Sequence, residues 1–192
     1  LSPHIDMNPV LLKPQSDVGA QLVVMGKVEG NYAAKDYQLK KIELLDIVID
    51  AACRLEEEAD ILLIEGAGSA AEVNLRDNDI ANMGFAVATQ TPVVLVADID
   101  RGGVIASIVG TWELLPEEEQ KLICGYIINK FRGDVNLFSS GIEIIEEKTG
   151  LSCFGIIPFV PEAAKLPQED GYSLENAMRE ESDGQIKIVV PK

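Results

Sequence analysis

In three places the sequence sets carboxylate, amide or cationic side chains directly after an apolar run, where a buried strand would end. The first is Ile61-Leu62-Leu63-Ile64, followed by Glu65-Gly66-Ala67-Gly68-Ser69. A carboxylate at such a tip can hold Mg2+, directly or through water, beside a nucleoside triphosphate. The small residues after it, Gly66 first, let backbone approach a ligand closely. An ordinary loop or helix cap would use the same residues. The second place is Ala97-Asp98-Ile99-Asp100-Arg101-Gly102-Gly103. A helix starting at the glycines would offer free N–H groups to an anion, with Gly102 and Gly103 allowing close approach. Asp98 and Asp100 could assist a metal, and Arg101 could grip a carboxylate or phosphate through two hydrogen bonds. A capped turn with a surface ion pair is the alternative. The third place is Asn129-Lys130-Phe131-Arg132-Gly133-Asp134, where an amide could read a nucleotide base or simply close a polar turn.

The elements that would carry these groups follow from apolar periodicity. Helical spacing runs from Tyr37 to Ala59, from Ile80 to Gln90, from Gly102 or Gly103 to Leu115, and from Leu137 to Thr149. A short acidic helix is expected to start at Pro116. Short apolar runs at Gln21–Gly26, Ile61–Ile64, Pro92–Ala97, Ile123–Ile128 and Cys153–Ile157 read as strands, and residues 1–20 as irregular. Continuously apolar strands alternating with helices predict an α/β fold, a mostly parallel sheet covered by helices on both faces. Ligands bind such sheets at the strand carboxyl ends, where Glu65, Asp98, Asp100, Asn129 and Lys130 would gather.

Composition narrows the function. The chain has 192 residues, 47% hydrophobic and 25% charged, enough for one domain with a sizeable core. A net charge of −16 argues against nucleic acid and against an anionic membrane surface. A small anion remains admissible, because Lys13, Lys27, Arg76, Arg101, Lys130 and Arg132 lie in loop-like sequence. There is no membrane-length apolar run and no signal peptide at the start, and Cys53, Cys124 and Cys153 read as buried free thiols. These features together point to the cytoplasm. There is no G-x-x-x-x-G-K-[ST] phosphate loop, and the sole histidine, His4, leaves no nucleophilic pair or His-based metal cluster.

Several longer stretches, taken together, resemble the cobyric acid synthases. They are MNPVLLKP (Met7–Pro14), EGAGSAAEVNLRDNDIANMGFA (Glu65–Ala86), PVVLVADIDRGGVIASIVGT (Pro92–Thr111), INKFRGD (Ile128–Asp134) and GIIPFVPEAAKLPQED (Gly155–Asp170). The resemblance covers nearly the whole chain. It implies a three-layer, dethiobiotin-synthetase-like P-loop fold followed by a glutaminase domain. It also implies ATP, Mg2+ and ammonia drawn from that glutaminase, used to amidate the b, d, e and g carboxylates of adenosyl-cobyrinic acid a,c-diamide. By position, Glu65 matches the family's Mg2+-binding acid, with Asp98 as a second metal candidate. Asp98, Asp100 and Arg101, with Gly102 and Gly103, lie where substrate and γ-phosphate should meet. Asn129 and Lys130 lie near the expected adenine, while Lys13, Ser69, Asn74 and Arg76 become candidate corrinoid contacts.

The same resemblance implies that the P-loop strand and helix precede Leu1 and that the glutaminase follows Lys192. Residues 1–167 are then expected to be a partial amidoligase domain, 168–184 an acidic linker, and 185–192 the start of the next domain. A sheet lacking its first strand would expose an unpaired edge and favour self-association as a homodimer. By itself such a piece is expected to be inactive. Sibling enzymes, cobyrinic acid a,c-diamide synthase or dethiobiotin synthetase, are alternatives, and a partition-type ATP switch is an alternative of another class.

Overall fold

The computed structural model describes residues 4–16, 19–76 and 79–165. Residues 1–158 form one unit and residues 159–192 a second. In the second, a 3-10 turn at Pro161–Lys165 is described. The expected linker at 168–184 and the expected start of the next domain at 185–192 lie outside the described residues.

The first unit holds two three-stranded sheets. In one, strands β1 (Val10–Ser16), β2 (Gly19–Val24) and β3 (Lys27–Ala33) pair antiparallel in chain order. The expectation of irregular structure over residues 1–20 is therefore corrected at β1. β1 is an edge strand, a place where a proline such as Pro14 is tolerated. Met25 and Gly26 form the tight turn into β3, both at positive φ, as a two-residue hairpin requires. Helix α1 (Ala34–Glu58) buries Leu44 and Ala51, seven residues apart on one face; Leu44 packs with Leu22 and Ile80.

In the other sheet, β4 (Val93–Asp98), β5 (Ile123–Phe131) and β6 (Cys153–Pro158) run parallel, with β5 central. Between them come α3 (Val104–Leu114), α4 (Glu117–Gln120) and α5 (Ser139–Thr149), and α2 (Met83–Thr89) precedes β4. The main core gathers Tyr126 and Ile128 of β5, Ile108 of α3, Ile145 of α5 and Met83 of α2, all at most 2% exposed. Each such side chain contributes about 1.5–3 kcal/mol of burial free energy. Alternate β4 side chains, Val94 and Val96, are exposed, as is Phe154 of β6. Among the described residues the helix layer therefore covers the Tyr126 face more fully than the opposite one.

Two further expectations need correction. Ile61–Ile64 is not a strand: no described strand pairs with it, and Ile61 and Leu63 are 78% and 90% exposed. An apolar run becomes a strand only when a neighbour satisfies its backbone. The cysteines are free, but Cys53 and Cys124 are exposed and only Cys153 is partly covered. Apolar sequence neighbours could not reveal which face of α1 or β5 each thiol occupies. No helix among the described residues is long and apolar enough to cross a membrane.

Gly84 gives this packing a direct test. A Cβ there would lie 1.9 Å from the Asp79 carbonyl oxygen. Gly→Ala within a helix ordinarily gains up to about 1 kcal/mol; Gly84→Ala should instead lose about 1–3 kcal/mol. The urea unfolding midpoint checks the sign.

Candidate functional site

Parallel pairing of β4 with β5 sets Asp98 opposite Asn129, so both strand carboxyl ends finish at one edge. Two ion pairs cross this joint. Lys130 Nζ donates to Asp98 Oδ2 at 2.6 Å, and Arg132 Nε donates to Asp100 Oδ1 at 2.9 Å. The Asp100 N–H also donates to Asp98 Oδ1. The Lys130 hydrogen bond, helped by that N–H and by the charges of Lys130 and Arg101, holds the Asp98 carboxyl below the usual range. Lys130 adopts a left-handed backbone at φ 60°, and its N–H is bonded by Asn129 Oδ1. The Asn129 carbonyl accepts from the Ile99 N–H. Asn129 thus ties the two strand ends together through its backbone carbonyl, while its side chain fixes the turn at Lys130.

Past the joint, Arg101, Gly102 and Gly103 are exposed. Gly102 and Gly103 take φ of 76° and 71°, a region that strains any other residue. Gly103 caps α3 with no side-chain hydrogen bond to the first turn. Those N–H groups remain available to an anion, as the sequence suggested. A shallow apolar groove lined by Ile99, Gly103, Val104, Val109, Phe138 and Ile144 flanks this turn.

A second set of residues shapes the loop after Glu65. Glu65 itself is exposed in non-regular backbone. Gly66 packs so tightly that a Cβ would lie 2.0 Å from Asn82 Oδ1, and Asn82 Nδ2 donates to the Ala67 carbonyl at 2.6 Å. Ser69 Oγ accepts from the Ala71 N–H, and exposed Asn74 lies in a 3-10 turn at Val73–Leu75. Arg76 points into the protein. One of its nitrogens lies 2.8 Å from Glu119 Oε1, and another donates to the Ala70 carbonyl at 3.1 Å.

Asp79 accepts N–H bonds from Ala81, Asn82 and Gly84. Burial pushes its carboxyl up, but these donors and the Arg76 charge outweigh burial and hold it below its ordinary value. Glu119 moves the other way. Burial raises it, with Glu118 and Asp79 adding to the effect and Arg76 opposing it.

The structure therefore brings Asp98, Asp100, Asn129 and Lys130 together, with Arg101, Gly102 and Gly103 following directly. Lys13 is exposed on β1, opposite Gln21 in the other sheet. Sequence reasoning missed Asp79, Asn82 and Glu119. The Asn82-Met83 step into a helix was a readable signal for Asn82, whereas Glu119 sits among three consecutive glutamates and had none. Among the described residues no three His, Cys, Asp or Glu side chains converge as a ready metal cage. Mg2+ beside a nucleotide needs only one or two carboxylates, phosphate and water completing its shell. Exposed Glu65 and half-open Asp98 each offer one such carboxylate.

A family model described as AAA domain matches residues 12–166. The chain belongs to the AAA domain family. This AAA domain is also 56% identical over 191 residues to "Cobyric acid synthase" of Mesorhizobium japonicum, covering 100% of this chain and 39% of that protein. It is 56% identical over 187 residues to "Cobyric acid synthase" of Rhizobium rhizogenes, covering 97% of this chain and 38% of that one. The protein of the same name from Methylocella silvestris is 56% identical over 187 residues, 97% of this chain and 39% of its own. The cobyric acid synthase resemblance read from the sequence therefore holds over the whole chain, which spans about two fifths of those relatives' length. No solved structure matches it.

Because Asp98 is held below its ordinary value, its pairing contributes fully above about pH 3.9 and is lost as pH falls through the lower folded value. Lys130→Met should raise the Asp98 carboxyl toward that ordinary value. Carboxyl NMR titration of wild type and variant reads the shift directly.

Proposed function

We propose that the whole protein carrying this domain is a carbon–nitrogen ligase that amidates the b, d, e and g carboxylates of adenosyl-cobyrinic acid a,c-diamide. It would use ATP, Mg2+ and ammonia released from glutamine by a glutaminase domain of the same protein, in the cytoplasm. The observation that carries this reading is 56% identity across all of this chain to a protein named cobyric acid synthase. The family match over residues 12–166 supports an ATP-using fold.

The residues suit the chemistry. A carboxylate is a poor electrophile, so ATP supplies activation by phosphorylating it, and ammonia then displaces phosphate. Glu65 and Asp98 would hold Mg2+, leaving the free N–H groups after Gly103 to face the transferring phosphoryl oxygens. Asp98 is already paired with Lys130, so a metal arriving there would compete with an ammonium 2.6 Å away. Lys130 would then be released toward phosphate, keeping the local charge balanced. Asn129 would flank the adenine side. Exposed Arg101 would take a corrinoid carboxylate, with Lys13, Ser69 and Asn74 as further contacts. The unpaired Ile61–Ile64 run is where self-association as a homodimer would begin.

Corrinoid-dependent ADP release by the whole enzyme, supplied with ammonia, tests the reading. ATP hydrolysis indifferent to the corrinoid would sink it in favour of a switch ATPase. In the same assay Glu65→Gln should cut turnover by about 10²-fold or more through loss of the metal ligand. Arg101→Ala should mainly raise the corrinoid KM, and an unchanged KM would refute its substrate role.

A further inference from the structure

The loop from Gly66 to Arg76 is largely exposed, has one 3-10 turn, and belongs to neither sheet. It is nevertheless fastened by two polar anchors, and Ala70 packs against the main core. At its start Asn82 grips the Ala67 carbonyl, in a fit that tolerates no side chain at position 66. At its end Arg76 turns inward, grips the Ala70 carbonyl, and meets Glu119. Ser69 and Asn74 lie between or beside these anchors. Glu119 comes from α4, 43 positions later in the chain (119 minus 76), and its side chain is only 5% exposed. Its second oxygen, Oε2, is buried without a hydrogen-bond partner among the described residues.

A buried ion pair is a poor way to gain stability, because desolvation offsets the attraction; a matched apolar pair often does as well. An incompletely satisfied one is poorer still. Geometry is what such a pair provides. Arg76 Nη1, which meets Glu119, has no hydrogen-bond partner among the described residues, so the contact is an ion pair; it holds the planar guanidinium where Nη2 reaches Ala70. The loop is thereby held from the protein's interior while its outer residues stay open.

We propose that Glu119 is a positioning residue. Through Arg76 it sets the conformation of the Gly66–Leu75 loop, which presents Ser69 and Asn74 to the carboxylate-bearing corrinoid. This rests on the functional reading above. It makes Arg76 a strut of the loop, its charge directed at Glu119 and, at longer range, Asp79, and not at the substrate.

The test compares Glu119→Gln in the whole enzyme with Lys121→Ala, which breaks an exposed ion pair on the same short helix. Hydrogen exchange should accelerate by about tenfold or more at amides 67–75 in Glu119→Gln, with β5 unchanged and the Lys121 variant like wild type. The corrinoid KM should rise about tenfold while kcat stays within about threefold. Glu119→Asp, which keeps the charge, should show the same pattern at smaller size, and it decides the matter if the Gln variant does not fold. Unchanged exchange at 67–75, equal acceleration in β5, or a fall in kcat at fixed KM would overturn the proposal. If wild-type ADP release ignores the corrinoid, the functional reading falls and the loop's exchange alone decides whether Glu119 positions it.

Discussion

Parallel pairing of β4 with β5 is the constraint on which the rest depends. Once Asp98 stands opposite Asn129, both chains leave the sheet at the same level, and their next residues must share one small space. Asp98 meets Lys130 and Asp100 meets Arg132, each acid from one strand end and each cation from the other. These groups are partly exposed, so solvent screens the pairs and they add little to stability. Their effect is orientational. They hold four ionised side chains beside the uncapped start of α3, with charges balanced in the free molecule. A strand slip of one residue would send Tyr126 to the open face and dissolve both pairs.

The loop after Glu65 is organised by different means. Backbone hydrogen bonds within it make local turns only; its polar hold on the body comes through side chains of Asn82, Arg76 and Glu119, and Ala70 packs against the main core. Asp79 links this hold to α2 by satisfying three N–H groups at the start of that helix. Gly66 and Gly84 fit into the same hub, each filling a space where a Cβ would collide with Asn82 or Asp79. Fixed anchors with open residues between them suit a surface that must meet a large polar ligand.

Legibility in the sequence followed how much each element depends on distant partners. Val93–Asp98, Ile123–Phe131 and Cys153–Pro158 were readable because strands in a parallel sheet under a helix layer are apolar almost throughout. Helices α1, α3 and α5 were readable from spacing, and Gly103 and Gly150 mark ends of α3 and α5. Ile61–Ile64 carries an equally strong strand signal, yet it lies unpaired. β1 gave the opposite error, since nothing local tells an edge strand from a loop. The pairing of Arg76 with Glu119 was invisible because one run of three glutamates offers no reason to choose among its members.

The sequence by itself determined the alternation of strands and helices, the glycines at left-handed turns, the acidic and amide residues at strand ends, and the family likeness. All of these are local properties, or patterns repeated among relatives. Tertiary structure alone decided that Lys130 faces Asp98, that Arg76 faces inward, that Glu119 is the glutamate that is buried, and that Cys53 and Cys124 are exposed. Such facts depend on register and on which face of an element meets the core. Both are set by contacts between residues far apart in the chain, and no local pattern encodes them.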